Sequence, residues 1–292
     1  MPSLKDIRTR IDSTKNTQQI TRAMKMTSAA KLRRAQNNIT NLRPYAKTIL
    51  SVIADIAATQ RVDHPLLQPK ENPRKVLLVV LTSDRGLCGA FNTNVSKAAH
   101  TFYRQNSAKV EAVDFLFVGR KGADFFKRRE IKGVDTILNL AKDIRYDYAA
   151  KVADRLIELY EAGAYDEVRI VYNEFKSPIQ QTVITERLLP VDIQSAGSLK
   201  EGSGFPVDMI FEPAPEKIID ALLKKHFAVQ VYRCMSESVA SEHGARMTAM
   251  ENATKNAGEM ISGLTLTYNK LRQSSITTEL IEITSGAEAL KG

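Results

Sequence analysis

The sequence has 292 residues, enough for one or two domains, with 43% hydrophobic residues, no tryptophan and a formal charge of +9. Its apolar runs are shorter than the roughly 18 residues of a membrane span, and Lys5, Arg8 and Arg10 break up any N-terminal signal sequence. We therefore expect a protein that is soluble or peripheral to a membrane. The only two cysteines, Cys88 and Cys234, give no disulfide framework and fit a reducing compartment.

The basic excess lies mainly in the first predicted helix. Residues 1–43 carry ten lysine and arginine side chains but only two acidic ones, Asp6 and Asp12. Such a surface favours an acidic partner, which could be nucleic acid, anionic lipid or an acidic protein cavity. Because the basic cluster at 31–34 lacks both aromatic interleaving and a reading motif, a solvated face or an acidic protein is favoured over nucleic acid.

Residues 1–60 predict one long N-terminal helix. It begins at the capping box Ser3-Leu4-Lys5-Asp6, and we expect Pro44 to bend it because proline removes a backbone hydrogen bond. Heptad spacing of apolar side chains is typical of a coiled-coil strand. The sixteen seam positions, eleven of them apolar, are Leu4, Ile7, Ile11, Thr14, Gln18, Thr21, Lys25, Ser28, Leu32, Ala35, Ile39, Leu42, Ala46, Ile49, Ile53 and Ile56.

The polar positions of this seam fall together, between Thr14 and Ser28. Within that window the apolar residues Ile20, Ala23, Met24 and Met26 lie off the seam. One interpretation is a stutter, in which a straight helix drifts from the 3.5-residue repeat. The other is that this face of the helix contacts something besides a partner helix. The stutter is the preferred interpretation.

Residues 74–210 predict an α/β domain. Apolar, β-branched runs indicate strands at 76–81, 113–118, 168–175 and 182–189, the last at an edge, with helices near 93–105, 121–129 and 145–162. This alternation predicts a doubly wound, Rossmann-like sheet. Residues 191–212, which are rich in glycine and proline, predict a loop.

Residues 213–290 predict a second long helix, because no proline occurs between Glu216 and Ser285. The proline-free stretch alone would span roughly 105 Å as a helix, and a helix of that length needs a partner helix. We expect an antiparallel coiled coil in which 10–30 packs on 250–275 and the C-terminal helix protrudes beyond Leu4. Eleven of its eighteen seam positions are apolar: Ile219, Leu222, His226, Val229, Arg233, Ser236, Ala240, His243, Met247, Met250, Thr254, Ala257, Ile261, Leu264, Tyr268, Leu271, Ser275 and Thr278. The predicted fold class is α/β: a coiled coil of N- and C-terminal helices with an inserted Rossmann-like domain.

Two places could carry chemistry. The segment Ser83–Asn92 follows the first strand and opens a helix, where α/β folds bind phosphates, yet it matches neither G-x-G-x-x-G nor a P-loop. A tight turn that needs glycine is the favoured interpretation, and Cys88 is interpreted as a buried structural thiol rather than a nucleophile. His226 and His243 would lie roughly 25 Å apart on one helix, too far to share a metal, and are expected at seam or surface positions.

Three segments carry a resemblance to a known family. The C-terminal ITTELIEITSGAEA (276–289) resembles the signature of the γ subunit of F-type ATP synthases. The N-terminal KDIR (5–8) with NTQQITRAMKM (16–26), and the segment 83–92, are similar to that family's first helix and first strand-turn segment. The resemblance covers essentially the whole chain, and the C-terminal motif is specific.

The resemblance implies a central rotor without an active site or cofactor of its own. In this family the coiled coil turns inside the α3β3 ring and couples proton-driven rotation of the c-ring to ATP synthesis or hydrolysis. The implied partners are the α and β subunits, the ε subunit and the c-ring, and no nucleic acid. The implied location is peripheral, on the inner side of the energy-coupling membrane, in a bacterial cell or in the mitochondrial matrix. The plastid form's regulatory cysteine pair is missing from this sequence.

The resemblance also implies contact residues. Arg272, Gln273 and Thr277 correspond to shaft residues that bond to a loop of the β subunit, and Met24 is placed on the N-terminal helix beside that region. Two rival classes remain open at this point: a nucleotide-using α/β enzyme, which needs a phosphate loop, and a basic coiled-coil nucleic-acid binder, which needs a reading motif. Weighing the chain purified with its partners would separate the three.

Overall fold

A computed structural model describes residues 3–60, 64–70, 72–138, 144–191 and 215–290. The chain divides into two compact units, here called the coiled-coil unit (1–28 and 247–292) and the α/β unit (29–246). Two long helices, α1 (Leu4–Gln60) and the last helix, α5 (Pro215–Ala289), contribute to both units. The boundaries predicted from the sequence follow helix ends instead, and they remain a prediction about domains.

The start of α1 is fixed by its capping box. The Ser3 backbone N–H donates to the Asp6 carboxylate at 3.1 Å, and the Asp6 N–H donates to the Ser3 hydroxyl at 3.2 Å. This reciprocal pair satisfies two of the amide groups that every helix start leaves without a partner. The bonds from Ser3 hold the pKa of the Asp6 carboxyl below its usual range. α1 continues through Pro44 as one helix, and the bend expected at this residue stays a prediction.

In the coiled-coil unit, α1 and α5 pack along the predicted seam. The Thr21 and Thr254 hydroxyls lie 2.8 Å apart, and the Lys25 ammonium lies 2.6 Å from the Glu251 carboxylate. The side-chain amide of Gln18 donates to the backbone carbonyl of Thr254 at 3.4 Å. Partners descend along α5 as they ascend along α1, so the helices are antiparallel. The predicted packing of 10–30 on 250–275 is confirmed.

The stutter interpretation is wrong. Polar seam residues between Thr14 and Ser28 make the contacts across to α5, so the heptad register continues through this window. Instead, Ile20 is 60% exposed and Met26 is 61% exposed. A repeat read from apolar residues alone misses this seam, because small hydroxyls and an ion pair occupy its positions. The other interpretation remains: the apolar face of Ile20 and Met26 is available to another partner.

The α/β unit contains the predicted sheet. Its elements are β1 (Lys75–Leu81), α2 (Phe91–Asn106), β2 (Ala112–Val118), α3 (Arg120–Lys127), β3 (Asp135–Ile137), α4 (Tyr146–Glu161), β4 (Glu167–Phe175) and β5 (Gln181–Leu189), with a short 3₁₀ turn at Pro65–Leu67. The strand order is β3-β2-β1-β4-β5, and only β5 is antiparallel to its neighbour. Residues 192–214, most of the predicted loop, lie outside the described residues. In the described ranges, no helix is both long enough and apolar enough to cross a membrane.

The sheet is buried on the face covered by α2 and α3, as the continuous apolar run of β1 predicts. Phe115 and Phe117 of β2 pack against Phe126 of α3, with ring centroids 4.6 and 5.2 Å away. The rest of this cluster is aliphatic and comes from β1, β4 and α2. β3 was not predicted because it has three residues, two of them exposed, and therefore no apolar run.

Within the α/β unit, α5 is a core helix rather than one strand of a two-helix coil. Nearly every side chain from 226 to 246 is buried. On the sheet side, the Ser241 hydroxyl donates to the Asn173 carbonyl of β4 at 3.0 Å. The expectation that His226 and His243 lie at seam or surface positions is wrong as to the surface, since they are 3% and 4% exposed.

Candidate partner-contact surface

The predicted contact residues Arg272, Gln273 and Thr277 lie on the exposed side of α5 in the coiled-coil unit. Their side chains are exposed, whereas Leu271 and Ser275 of the seam are half-buried. The Thr277 hydroxyl donates to the Gln273 backbone carbonyl at 2.9 Å, which leaves its oxygen free to accept. Among the described residues, no hydrogen bond or ion pair occupies the Arg272 guanidinium or the Gln273 amide. The three side chains can therefore serve an external partner.

Met24 lies at a different level of the coiled-coil unit. It is half-buried next to Lys25, whose ammonium contacts Glu251. Glu251 and Arg272 are separated by about 30 Å along a helix that rises 1.5 Å per residue. The structure therefore does not bring Met24 together with Arg272, and the predicted residues form two patches.

A groove of about 990 Å³ lies between the two helices at the level of Met24. Gly258 helps to keep it open, because a Cβ there would approach the Gln18 amide nitrogen to 3.1 Å. Most of the lining residues are polar or charged by type, although carbon atoms form most of the lining surface: Gln18, Gln19, Arg22, Lys25, Met26, Glu251, Thr254, Lys255, Gly258, Glu259 and Ser262. The sequence analysis missed this groove; the polar seam beside a glycine is the signal that could have found it.

The end of α5 is exposed on all sides. From Ile276 to Leu290 every residue is exposed, although Leu280, Ile281 and Ile283 are large and apolar. The contacts of Gln18 and Lys25 set a register that brings Leu4 level with about Leu271, so the rest of α5 extends beyond its partner helix. The predicted protrusion is confirmed. A run of exposed apolar side chains on a helix end is typical of a segment that another protein encloses.

The segment Ser83–Asn92 is a tight turn whose first and last residues are hydrogen-bonded to each other. The Ser83 N–H donates to the Asn92 side-chain oxygen at 2.9 Å, and the Asn92 amide donates to the Ser83 hydroxyl at 2.8 Å. Leu87 and Gly89 have φ angles of 63° and 56°, which explains the glycine. Cys88 is buried, and burial raises the pKa of its thiol, which disfavours the nucleophilic thiolate. These contacts support the turn interpretation over a phosphate site.

Residues far away in sequence lock this turn in place. The Arg246 guanidinium donates to the Gly86 carbonyl at 3.2 Å and pairs with Glu242 at 2.7 Å. It also lies 3.4 Å from the His243 ring. No sequence pattern links α5 to a turn some 160 residues earlier, so this cluster could not be predicted. Each charged group in it has a protein partner, which makes the cluster structural.

We expect the isolated chain to bind neither ATP nor ADP with micromolar affinity. The turn uses its own Ser83 and Asn92 where a phosphate loop would leave amide groups for the ligand. Titration calorimetry with the full chain measures this directly. A saturable heat that disappears in Asn92→Ala would contradict the expectation and restore the nucleotide-site interpretation.

A second ionic cluster fastens α5 to the sheet. Arg233 donates two hydrogen bonds to the Glu186 carboxylate of β5, at 2.7 and 2.8 Å, and one to the Tyr172 hydroxyl of β4 at 3.1 Å. Both bonds to Glu186 come from Nη2, while Nη1 serves Tyr172, so the guanidinium bridges β5 and β4 through charge-assisted bonds. This joint therefore fixes the rotation of α5 against the sheet.

Comparison with known proteins identifies the family. A family model described as ATP synthase matches residues 3–290. The chain is 66% identical to the ATP synthase gamma chain of Bdellovibrio bacteriovorus and 48% identical to that of a Geobacter species, and each alignment covers all of both chains.

Solved structures agree with this match. A chain from the central stalk and c-ring structure of Tetrahymena thermophila mitochondrial ATP synthase is 28% identical with a TM-score of 0.59, over 80% of this chain and 99% of that one. A chain of Euglena gracilis mitochondrial ATP synthase shares the fold, at 23% identity and a TM-score of 0.69, over 98% and 94% of the two chains. Since both the family model and full-length relatives span the sequence, the chain belongs to the ATP synthase gamma chain family.

Proposed function

We propose that the chain is the central rotor shaft of an F-type ATP synthase. It couples proton-driven rotation of the c-ring to conformational changes in the catalytic α3β3 ring, for ATP synthesis or hydrolysis, and holds no active site itself. The partners are the α and β subunits, the ε subunit and the c-ring. Its place is peripheral to the energy-coupling membrane, and the 66% identity to a Bdellovibrio chain supports the cytoplasmic side of a bacterial inner membrane.

The exposed far end of α5 is the observation that carries this proposal. A single helix that exposes large apolar side chains is unfavourable in water, so a surrounding sleeve accounts for Leu280, Ile281 and Ile283 better than solvent does. The two-helix segment below it is narrow and built on a polar seam. A narrow, stiff element that fits inside a ring of larger subunits is what a shaft requires.

The coupling follows from the asymmetry of the coiled-coil unit. Its charged groove faces one direction only, and Arg272 and Gln273 project from one side of α5. Three equivalent subunits around such a shaft meet three different surfaces at any moment. A shaft that contacts one conformation of a subunit better than another shifts that subunit towards it, and rotation passes the bias to the next subunit.

Replacing Arg272 and Gln273 together with alanine tests the proposal. An exposed guanidinium and amide can donate several hydrogen bonds to carboxylates on a β-subunit loop. Because both side chains are exposed, we expect the free energy of unfolding to change by about 0.5 kcal/mol or less. Loss of charge-assisted bonds, about 1.5–3 kcal/mol each, should instead reduce ATP synthesis and hydrolysis by the reconstituted complex.

The matched control is Asn269→Ala with Lys270→Ala, which removes another adjacent amide and cation from exposed positions of α5 outside the groove. We expect this control to assemble and turn over at close to the wild-type rate. Wild-type turnover of an intact complex carrying Arg272→Ala and Gln273→Ala would show that the contact is incidental. Failure of the wild-type chain to assemble with α and β subunits would overturn the rotor proposal itself.

A further inference from the structure

Two helices of the α/β unit end side by side at one edge of the sheet. α2 links β1 to β2 and α3 links β2 to β3, and since these strands are parallel, both helices run back towards the amino ends of the strands. The two helices pack against each other on the same face of the sheet. After α2, the Glu111 N–H donates to the Arg74 carbonyl just before β1, which places residues 107–111 at that edge.

The ends of these helices carry a cluster of exposed cations, here called the basic edge. It comprises Arg104, Lys109, Lys127, Arg128, Arg129 and Lys132. Four exposed acidic residues lie in or directly beside these segments, Glu111, Asp124, Glu130 and Asp135, against six cations, so positive charge predominates. Attraction between a helix C-terminus and a cation would account for one such residue per helix. It does not account for six.

The cations of the basic edge combine close grouping with a lack of ion pairs. Elsewhere many are paired, as Lys70 is with Asp166, Arg169 with Glu167 and Lys176 with Glu174. In the described part of the unit, no carboxylate forms an ion pair with a member of the basic edge. Unpaired cations gathered in one place leave a positive potential that an anionic surface can meet.

The basic edge also has an ordered centre and an apolar neighbour. The Arg129 guanidinium carbon lies 3.7 Å from the centre of the Phe125 ring, and its Nη1 donates to the Phe125 carbonyl at 2.9 Å. Just after Lys132, the aliphatic side chain of Val134 is 52% exposed. Cations beside exposed aliphatic side chains are the combination that binds the surface of an anionic bilayer, with phosphates on the cations and the apolar groups at the acyl boundary.

We infer that the basic edge binds the phosphate headgroups of anionic phospholipids. This contact goes beyond the rotor proposal and does not depend on the coiled-coil unit, because every residue in it belongs to the α/β unit. A bilayer fits better than an acidic protein, since the cations lie on the ends of separate elements and have one exposed aliphatic neighbour, Val134. A protein interface normally centres on a larger buried apolar or aromatic core.

Vesicle sedimentation with the full chain tests the inference. Vesicles are made of phosphatidylcholine alone or of phosphatidylcholine with phosphatidylglycerol. We expect binding only to the anionic vesicles, weakening as salt is raised. The test variant carries Lys127→Gln, Arg128→Gln and Lys132→Gln. Since each cation near an anionic surface contributes roughly fivefold to binding, the partition coefficient should fall about a hundredfold.

The control variant carries Lys121→Gln, Lys151→Gln and Lys217→Gln, which removes the same charge from exposed positions of the same unit outside the basic edge. It should bind anionic vesicles nearly as well as the wild type, and thermal melts should show that both variants remain folded. If both variants lost binding to anionic vesicles equally, the binding would depend on net charge alone, and the inference would be overturned. So would anionic-vesicle binding that the basic-edge variant retains, or preferential binding to polyglutamate, which would assign the surface to an acidic protein.

Discussion

Gly119→Ala is expected to destabilise the α/β unit by more than about 4 kcal/mol, enough to prevent folding of many proteins. Gly119 follows β2 with φ +102°, a conformation that side chains rarely adopt. A Cβ there would lie 2.1 Å from the Thr82 carbonyl oxygen and 2.6 Å from its carbon. Both are backbone atoms at the end of central strand β1, so relief requires the sheet itself to move.

Two other glycines separate the clash from backbone strain. Gly163 also has a positive φ, +70°, but a Cβ there would meet nothing within 4 Å, so Gly163→Ala should cost about 1–2 kcal/mol. Gly86 has neither feature, and Gly86→Ala should stay within about 0.5 kcal/mol of wild type. Urea denaturation of the full-length variants gives this order. A Gly119→Ala protein as stable as Gly163→Ala would show that β1 shifts at little cost.

Acid is expected to weaken the same unit through two buried histidines. The pKa of both His226 and His243 is lowered from 6.5 to about 4, mainly by burial and also by nearby cations. The cation beside His226 is Arg233, and those beside His243 are Arg246 and Lys31. The unfolded chain therefore binds protons that the folded chain rejects. Stability is full above pH 6.5, falls as the pH drops towards 4, and levels off below that.

The pKa difference predicts that the free energy of unfolding falls by about 2 kcal/mol per histidine between pH 8 and pH 5. Urea midpoints at the two pH values measure it. The variant carrying His226→Gln and His243→Gln removes both titrating groups, so its stability should fall much less over this range, whatever its stability at pH 8. A double variant whose urea midpoint falls as steeply as that of the wild type would show that other groups cause the acid response.

The long-range architecture could be predicted from the sequence because it depends on repeating local patterns. The seam of α1 is one case: its buried residues, such as Ile7, Leu32 and Ile53, all fall on heptad positions. The apolar run of β1 is another, since it is buried along nearly its whole length. What failed was an inference from one residue type. Apolar residues between Thr14 and Ser28 suggested a drift, while the hydroxyls and charges there form the actual interface.

The candidate site was less predictable because it depends on which parts of the two long helices, far apart in sequence, lie next to each other. Because Arg272 and Gln273 directly follow the seam residue Leu271, the repeat predicts that both side chains are exposed, and both are. Their distance from Met24 needed the register between the helices, which a single sequence does not contain. Burial of His226 and His243 likewise depends on α5 entering the core of the α/β unit, and no periodicity along α5 distinguishes that from a coiled coil.

The polar contacts at the middle of the coiled-coil unit also determine how far α5 overhangs. Apolar heptads tolerate a slip of seven residues, because one aliphatic side chain replaces another. Here such a slip would set the Thr21 hydroxyl against Ile261 and the Lys25 ammonium against Gly258, with both polar groups left unpaired in the seam. A polar residue at a coiled-coil core position is known to specify register at a cost in stability. By specifying the register, the Thr21–Thr254 and Lys25–Glu251 pairs determine how many residues of α5 extend beyond Leu4.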